Sequence, residues 1–192
     1  MQHIHWYGIL VLACQINISH AAPSTTLPID RVISVVTTDW NEDGLPDRAI
    51  LMMGDDTDAD LYIFQSENHD PQQPKTLKVY QNSIAWMGNM WGTWPSLELN
   101  ARNSLLIHSG NEAIGRNRWQ QTLTVAYREQ QFKVVGYTYR DRDTLDLETY
   151  SHCEINYLNG KAVINGKTLS HREPAKALSQ WKDKMPKLCQ TD

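Results

Sequence analysis

No block of basic residues occurs anywhere in this chain, and its formal net charge is −4. The electrostatic footprint of a nucleic-acid-binding protein is therefore missing. No apolar run reaches the roughly 18 residues that a membrane-crossing helix requires. Cysteine is scarce, with three in 192 residues. No C-x-x-C, H-E-x-x-H or G-x-S-x-G is present, so the common redox, zinc and serine-hydrolase signatures are absent. The later histidines, His69, His108, His152 and His171, are scattered without metal-ligand spacing. There is no low-complexity segment.

What is present begins with an export signal. Ile4 to Ile18 is mainly apolar and uncharged, and small residues follow at Ser19, Ala21 and Ala22. This pattern predicts a secretory signal peptide over residues 1–21, then a flexible leader over 22–30. The start carries His3 and His5 in place of Lys or Arg. Val11-Leu12-Ala13-Cys14 loosely resembles a lipobox, which makes a lipoprotein anchored at Cys14 the lesser alternative. Either route places the protein in the periplasm or outside the cell. Two cysteines follow residue 21, Cys153 and Cys189. An even count in an oxidising compartment predicts one disulfide.

The rest, residues 31–192, is enough for one domain with a real core. Its pattern is mainly β. Arg31–Thr38 and Arg48–Met53 are rich in strand formers, and Leu61–Gln65 and Leu77–Tyr80 add further strands to a unit spanning 31–82. Leu97, Leu99, Leu105 and Ile107 open a second group, an antiparallel meander over 97–172. Thr122–Tyr127 and Phe132–Tyr139 flank a short polar turn and form a hairpin. Asn159-Gly160 and Asn165-Gly166 favour type I′ turns, separating strands at 154–158, 161–164 and 167–170. One C-terminal α-helix is expected from Pro174 to Met185, within a tail spanning 173–192. Pro174 suits its first position, Leu178, Trp181 and Met185 form an apolar face, and Pro186 stops it.

Asp39-Trp40-Asn41-Glu42-Asp43-Gly44-Leu45-Pro46-Asp47 reads D-x-N-x-D-G-x-x-D. Oxygen-bearing side chains recur at alternate positions, then a glycine allows a sharp turn, then a carboxylate closes the run. Calcium takes about six to eight oxygen ligands, and this spacing directs several at one centre. An EF-hand needs flanking helices and a Glu at the twelfth position, where this chain has Ile50 between strand-like flanks. The segment instead resembles the calcium loop of FG-GAP and VCBS-type repeats, which joins two strands of a propeller blade. That resemblance covers Val32 to Leu61 and implies propeller-blade-like sheets. It implies a structural Ca²⁺ held by the side chains of Asp39, Asn41, Asp43 and Asp47 and by the Leu45 carbonyl. One good copy is present, and propellers need several blades, so adhesion roles do not transfer. The remainder is similar to exported bacterial proteins only in general character.

Trp86, Trp91 and Trp94 lie in one Gly- and Pro-interrupted stretch. They either fill a β core or present rings to a sugar or protein. Arg116 and Arg118 either recognise a carboxylate or phosphate or pair with Asp141, Asp143 or Asp146. Those three aspartates are expected to form a solvated turn, with glycoside-type acid–base chemistry as the alternative. The expected function is a non-enzymatic, calcium-stabilised exported β protein that binds another protein or a cell-envelope glycan. A periplasmic inhibitor or immunity protein against an envelope-attacking enzyme is one alternative. A hydrolase using the Asp141–Asp146 turn is the other.

Overall fold

The computed structural model describes residues 28–190, apart from 55–56, 71–72, 74 and 183–184. The expected signal peptide, Cys14 and most of the leader lie outside the described residues. Among the described residues, twelve strands build two antiparallel sheets. The first holds β1 (Val32–Thr38), β2 (Asp47–Met53), β3 (Asp58–Gln65) and β4 (Thr76–Trp86), in chain order. The second begins with β5 (Ser96–Leu99), β6 (Leu105–Asn111), β7 (Asn117–Arg128) and β8 (Gln131–Asp143). It continues with β9 (Tyr150–Asn156), β10 (Lys161–Ile164) and β11 (Lys167–Ser170), again in chain order. The fold is mainly β, as the alternation of apolar residues predicts.

Side chains alternate across each strand, so every second residue reaches the core. In β3 these are Ala59, Leu61 and Ile63, all fully buried. In β7 and β8 they include Leu123, Val125, Val134 and Tyr137. A single apolar cluster takes residues from both sheets. β5 lies against β1 and β2, where Leu97 N–H donates to Ser34 Oγ at 3.0 Å. The opposite face of the second sheet is left to solvent.

Turn chemistry decides the hairpins. Ile164 pairs with Lys167 across Asn165-Gly166, both at positive φ, as a type I′ turn requires. Asn159-Gly160 departs from expectation. Asn156 pairs with Lys161, leaving a four-residue loop, because Asn156 Oδ1 accepts the N–H groups of Leu158 and Asn159 and starts the turn earlier. The β7–β8 turn places Glu129 and Gln130 at φ 51° and 58°, a left-handed conformation on two non-glycine residues.

The C-terminal α-helix does not form. Lys176–Ala177 is instead a short strand, β12, paired with Val134 and Lys133 of β8. Leu178–Gln180 and Lys187–Cys189 are single 3₁₀ turns. Residues three apart share a side in a 3₁₀ turn as they do in an α-helix. Leu178 and Trp181 are thereby buried without a helix. Trp181 packs its ring 6.1 Å from Tyr137 and 6.2 Å from Tyr157. The Cys153–Cys189 disulfide, predicted by parity, pins the tail to β9. Backbone pairing with β8 and this tether outweigh the weak gain from a helix of about twelve residues.

Candidate functional site

The acidic loop joins β1 to β2, and Thr38 pairs with Asp47 at its base. Its carboxylates organise the turn. Asp39 accepts the N–H of Asp43 at 3.2 Å and of Gly44 at 2.7 Å. Asp43 accepts the Leu45 N–H at 2.8 Å and Asn41 Nδ2 at 2.7 Å. Gly44 sits at φ 82°, where a side chain would be strained. Asp47 differs from the others. It is fully buried, with Oδ2 accepting Trp40 N–H at 3.1 Å and Oδ1 accepting Ser66 N–H at 3.1 Å.

A residue far along the chain completes the loop. Asn103, between β5 and β6, donates from Nδ2 to the Asp39 carbonyl and accepts Thr38 Oγ1. Its own carbonyl accepts Trp40 Nε1 at 3.1 Å. Sequence reasoning missed Asn103, because no local pattern marks a brace more than 60 residues away. Ser66, which bonds Asp47 and the Pro46 carbonyl, was missed for the same reason.

The loop's donors suit a hard cation. Asp39, Asn41, Asp43 and the Leu45 carbonyl are all oxygen donors, the chemistry calcium takes. Asn41 Oδ1 is shielded from water and has no hydrogen-bond partner. Such an orphaned acceptor normally marks an unfilled interaction. Among the described residues no group of three or more His, Cys, Asp or Glu side chains is gathered as a metal site. The loop's fit therefore rests on mixed ligands, with Asp47 already engaged by two N–H groups.

A second feature lies on the connections of the larger sheet. Trp91 is 97% exposed and Trp94 is 53% exposed, on the link between β4 and β5. Trp86 is separate: it packs 5.5 Å from Trp119, which stacks on Tyr139. One tryptophan-rich stretch therefore divides into a structural ring and two rings in water. A Cβ at Gly92, on the β4–β5 link, would fall 3.9 Å from the Ala113 Cβ of the β6–β7 link. That link is tied to the β8–β9 link by Arg116 Nε on Asp143 Oδ1 at 2.6 Å and by Thr144 N–H on the Arg116 carbonyl. Arg142 also grips Glu112 through both terminal nitrogens. The three connections expose Met90, Trp91, Trp94, Ile114, Leu145 and Leu147, and β9 begins with the exposed Tyr150.

Arg116 thus takes the structural role, pairing with Asp143. The guanidinium holds the Asp143 carboxyl below the usual range, helped by the N–H groups of Leu145 and Asp146. Asp141 accepts Ser151 through N–H and hydroxyl, and Asp146 caps its own turn through Glu148 and Thr149. Arg118 does not pair with any of the three. Its direct cross-strand neighbour is Arg142.

Comparison with known proteins adds no assignment: no family model, no curated protein and no solved structure matches this chain.

Proposed function

We propose that this is an exported, calcium-stabilised, non-enzymatic β protein that binds another protein or a cell-envelope glycan through the links β4–β5, β6–β7 and β8–β9. The observation that carries the reading is Trp91, almost wholly in water on the link between β4 and β5. Isolated exposed apolar residues need no explanation, but six on these three links, with Tyr150 at the start of β9, support an interaction surface. The Arg116–Asp143 tie between the β6–β7 and β8–β9 links supports binding further, because loops already held lose less freedom on association. Export is supported by the formed disulfide and the predicted signal peptide. Among the described residues no helix is long and apolar enough to cross a membrane. Calcium is supported by the loop's oxygen donors and the orphaned Asn41 Oδ1.

The same apolar-tipped links favour one second reading, an inhibitor or immunity protein that seats them in an enzyme cleft. The hydrolase reading has less support. A general acid needs a raised pKa, whereas the Arg116 guanidinium holds Asp143 down.

Mature protein and a Trp91→Ala/Leu147→Ala variant, immobilised in calcium, test the binding claim against purified peptidoglycan and envelope extract. Retention by the wild type and its loss in the variant are expected. Equal retention by both moves binding away from these loops. Release of a cleaved glycan, abolished in Asp143→Asn, overturns the non-enzymatic reading.

A further inference from the structure

The solvent face of the second sheet carries arginines that the fold itself does not use. Strand register fixes which side chains share that face. Arg118 lies opposite Arg142, and Gln120 opposite Arg140. On β9, Tyr150 lies opposite Arg142 and His152 opposite Arg140. On β6, Gly110 lies opposite Gln120 and His108 opposite Thr122. Like charges set directly across a strand pair repel and destabilise the sheet. Glu112 answers Arg142 alone. Among the described residues Arg118 and Arg140 form no ion pair, although Glu154 lies on the same face, opposite Thr138 and diagonal to Arg140.

Unsatisfied groups gather in the same place. Six buried side-chain atoms lack a hydrogen bond among the described residues. Three of them, Arg118 Nη1, His152 Nε2 and His108 Nε2, lie on this face, the last only 3.5 Å from Glu98. A buried polar group left without a partner destabilises the fold. Next to them is a cleft of about 250 Å³, lined by Trp94, His108, Glu112, Gln120 and Thr122. Gly110 also lines it, and a Cβ there would fall 2.7 Å from the Trp119 carbonyl. An aromatic ring, an amide and a hydroxyl around a shallow cleft match the apolar face and hydroxyls of a sugar. Register sets Arg140 opposite Gln120 and Arg118 two residues before it on the same face, and guanidinium forks match a carboxylate or phosphate.

We propose that this face binds an acidic saccharide, with the sugar ring against Trp94 and its carboxylate or phosphate on Arg118 and Arg140. The inference rests on the glycan limb of the proposed function and names the ligand's chemistry. It leaves Arg116 in its structural pair.

Calorimetric titration of the mature protein, with calcium and at low salt, tests it using four probes. They are chitobiose, the disaccharide of N-acetylglucosamine and N-acetylmuramic acid, N-acetylglucosamine 6-phosphate, and inorganic phosphate. At least one acidic sugar is expected to bind tenfold or more tighter than chitobiose, and which one does so separates carboxylate from phosphate. Arg118→Gln/Arg140→Gln is expected to remove that preference, and Trp94→Ala to weaken every sugar. Arg118→Lys/Arg140→Lys keeps the charge without the fork and is expected to fall between. Melting temperatures no lower than that of the wild type verify that the variants fold. Equal binding of neutral and acidic sugars overturns the acidic assignment but leaves a glycan site. Inorganic phosphate binding as tightly as the sugar phosphate removes the ring and overturns the proposal. Failure of every probe, with Trp91-dependent retention of an envelope protein intact, overturns the saccharide and leaves a protein-binding surface.

Discussion

Asp43 and Asp47 stand four positions apart in one loop and are expected to respond differently to substitution. Asp43 is exposed and organises only its own turn, whereas Asp47 is fully buried and satisfies the Trp40 and Ser66 amides. Calcium at a hundredfold excess over its dissociation constant stabilises by about 2.7 kcal/mol, or roughly 5–10 °C for a domain of this size. Melting in EDTA, in calcium and in magnesium is expected to show that rise for calcium only. Asp43→Ala is expected to abolish it while changing the EDTA value little. Asp47→Ala is expected to lose about 2–4 kcal/mol even in EDTA, because two buried amides lose their acceptor. Equal destabilisation by Asp43→Ala in all three buffers would remove calcium from the account. The alternation of oxygen donors was legible in sequence, but the burial of Asp47 was not, since Ser66 and Gln65 arrive from β3. Arg140-Asp141-Arg142 held a signal that went unread: residues two apart in a strand share a face.

Strands and turns were the legible elements, and the tail was not. Apolar alternation marks β2, β3, β7 and β8 because each has one face in the core. The tail misled because i, i+3 spacing serves a 3₁₀ turn and an α-helix alike. What decided it, an open stretch of β8 and the tether to Cys153, is tertiary. The β7–β8 turn offers a test at this scale. Gln130 is held at φ 58°, which costs a non-glycine residue about 1 kcal/mol. Gln130→Gly is expected to raise stability by about that amount in urea unfolding, with Glu129 and its ion pair to Lys133 untouched. A loss of stability instead would show that the turn relaxes in solution.

Across the whole molecule, the disulfide and the loop bracing link distant parts. Cys153 and Cys189 are 36 positions apart, and closing a loop of that size restricts the unfolded chain by about 4 kcal/mol. Cys153→Ala/Cys189→Ala is expected to lose about 2–4 kcal/mol, and the denatured, unreduced protein to show no reactive thiol. Acid acts on the braced end. The Asp143 carboxyl titrates below its unfolded value, so its contribution is complete above about pH 4 and fades as pH falls through the lower folded value. Wild type is therefore expected to lose more melting temperature than Asp143→Asn between pH 5 and pH 2. Parallel curves would show that the Arg116 pair contributes nothing to folding. The apolar surface could not be read from composition, because Trp86 and Trp91 are close in sequence, yet one is half-buried against Trp119 and the other stands in water.

Trp40 gives the acidic loop an optical gauge. Its indole lies in the core, 5.4 Å edge-on to Phe132, and its N–H is anchored to Asn103 beside Asp39. An ion that tightened Asp39 would stiffen the surroundings of that chromophore. Emission from Trp40, isolated by exchanging the other tryptophans for phenylalanine, would then follow loop occupancy with no added dye. Trp91, already in water, would remain blind to the loop and report only what docks at the far connections.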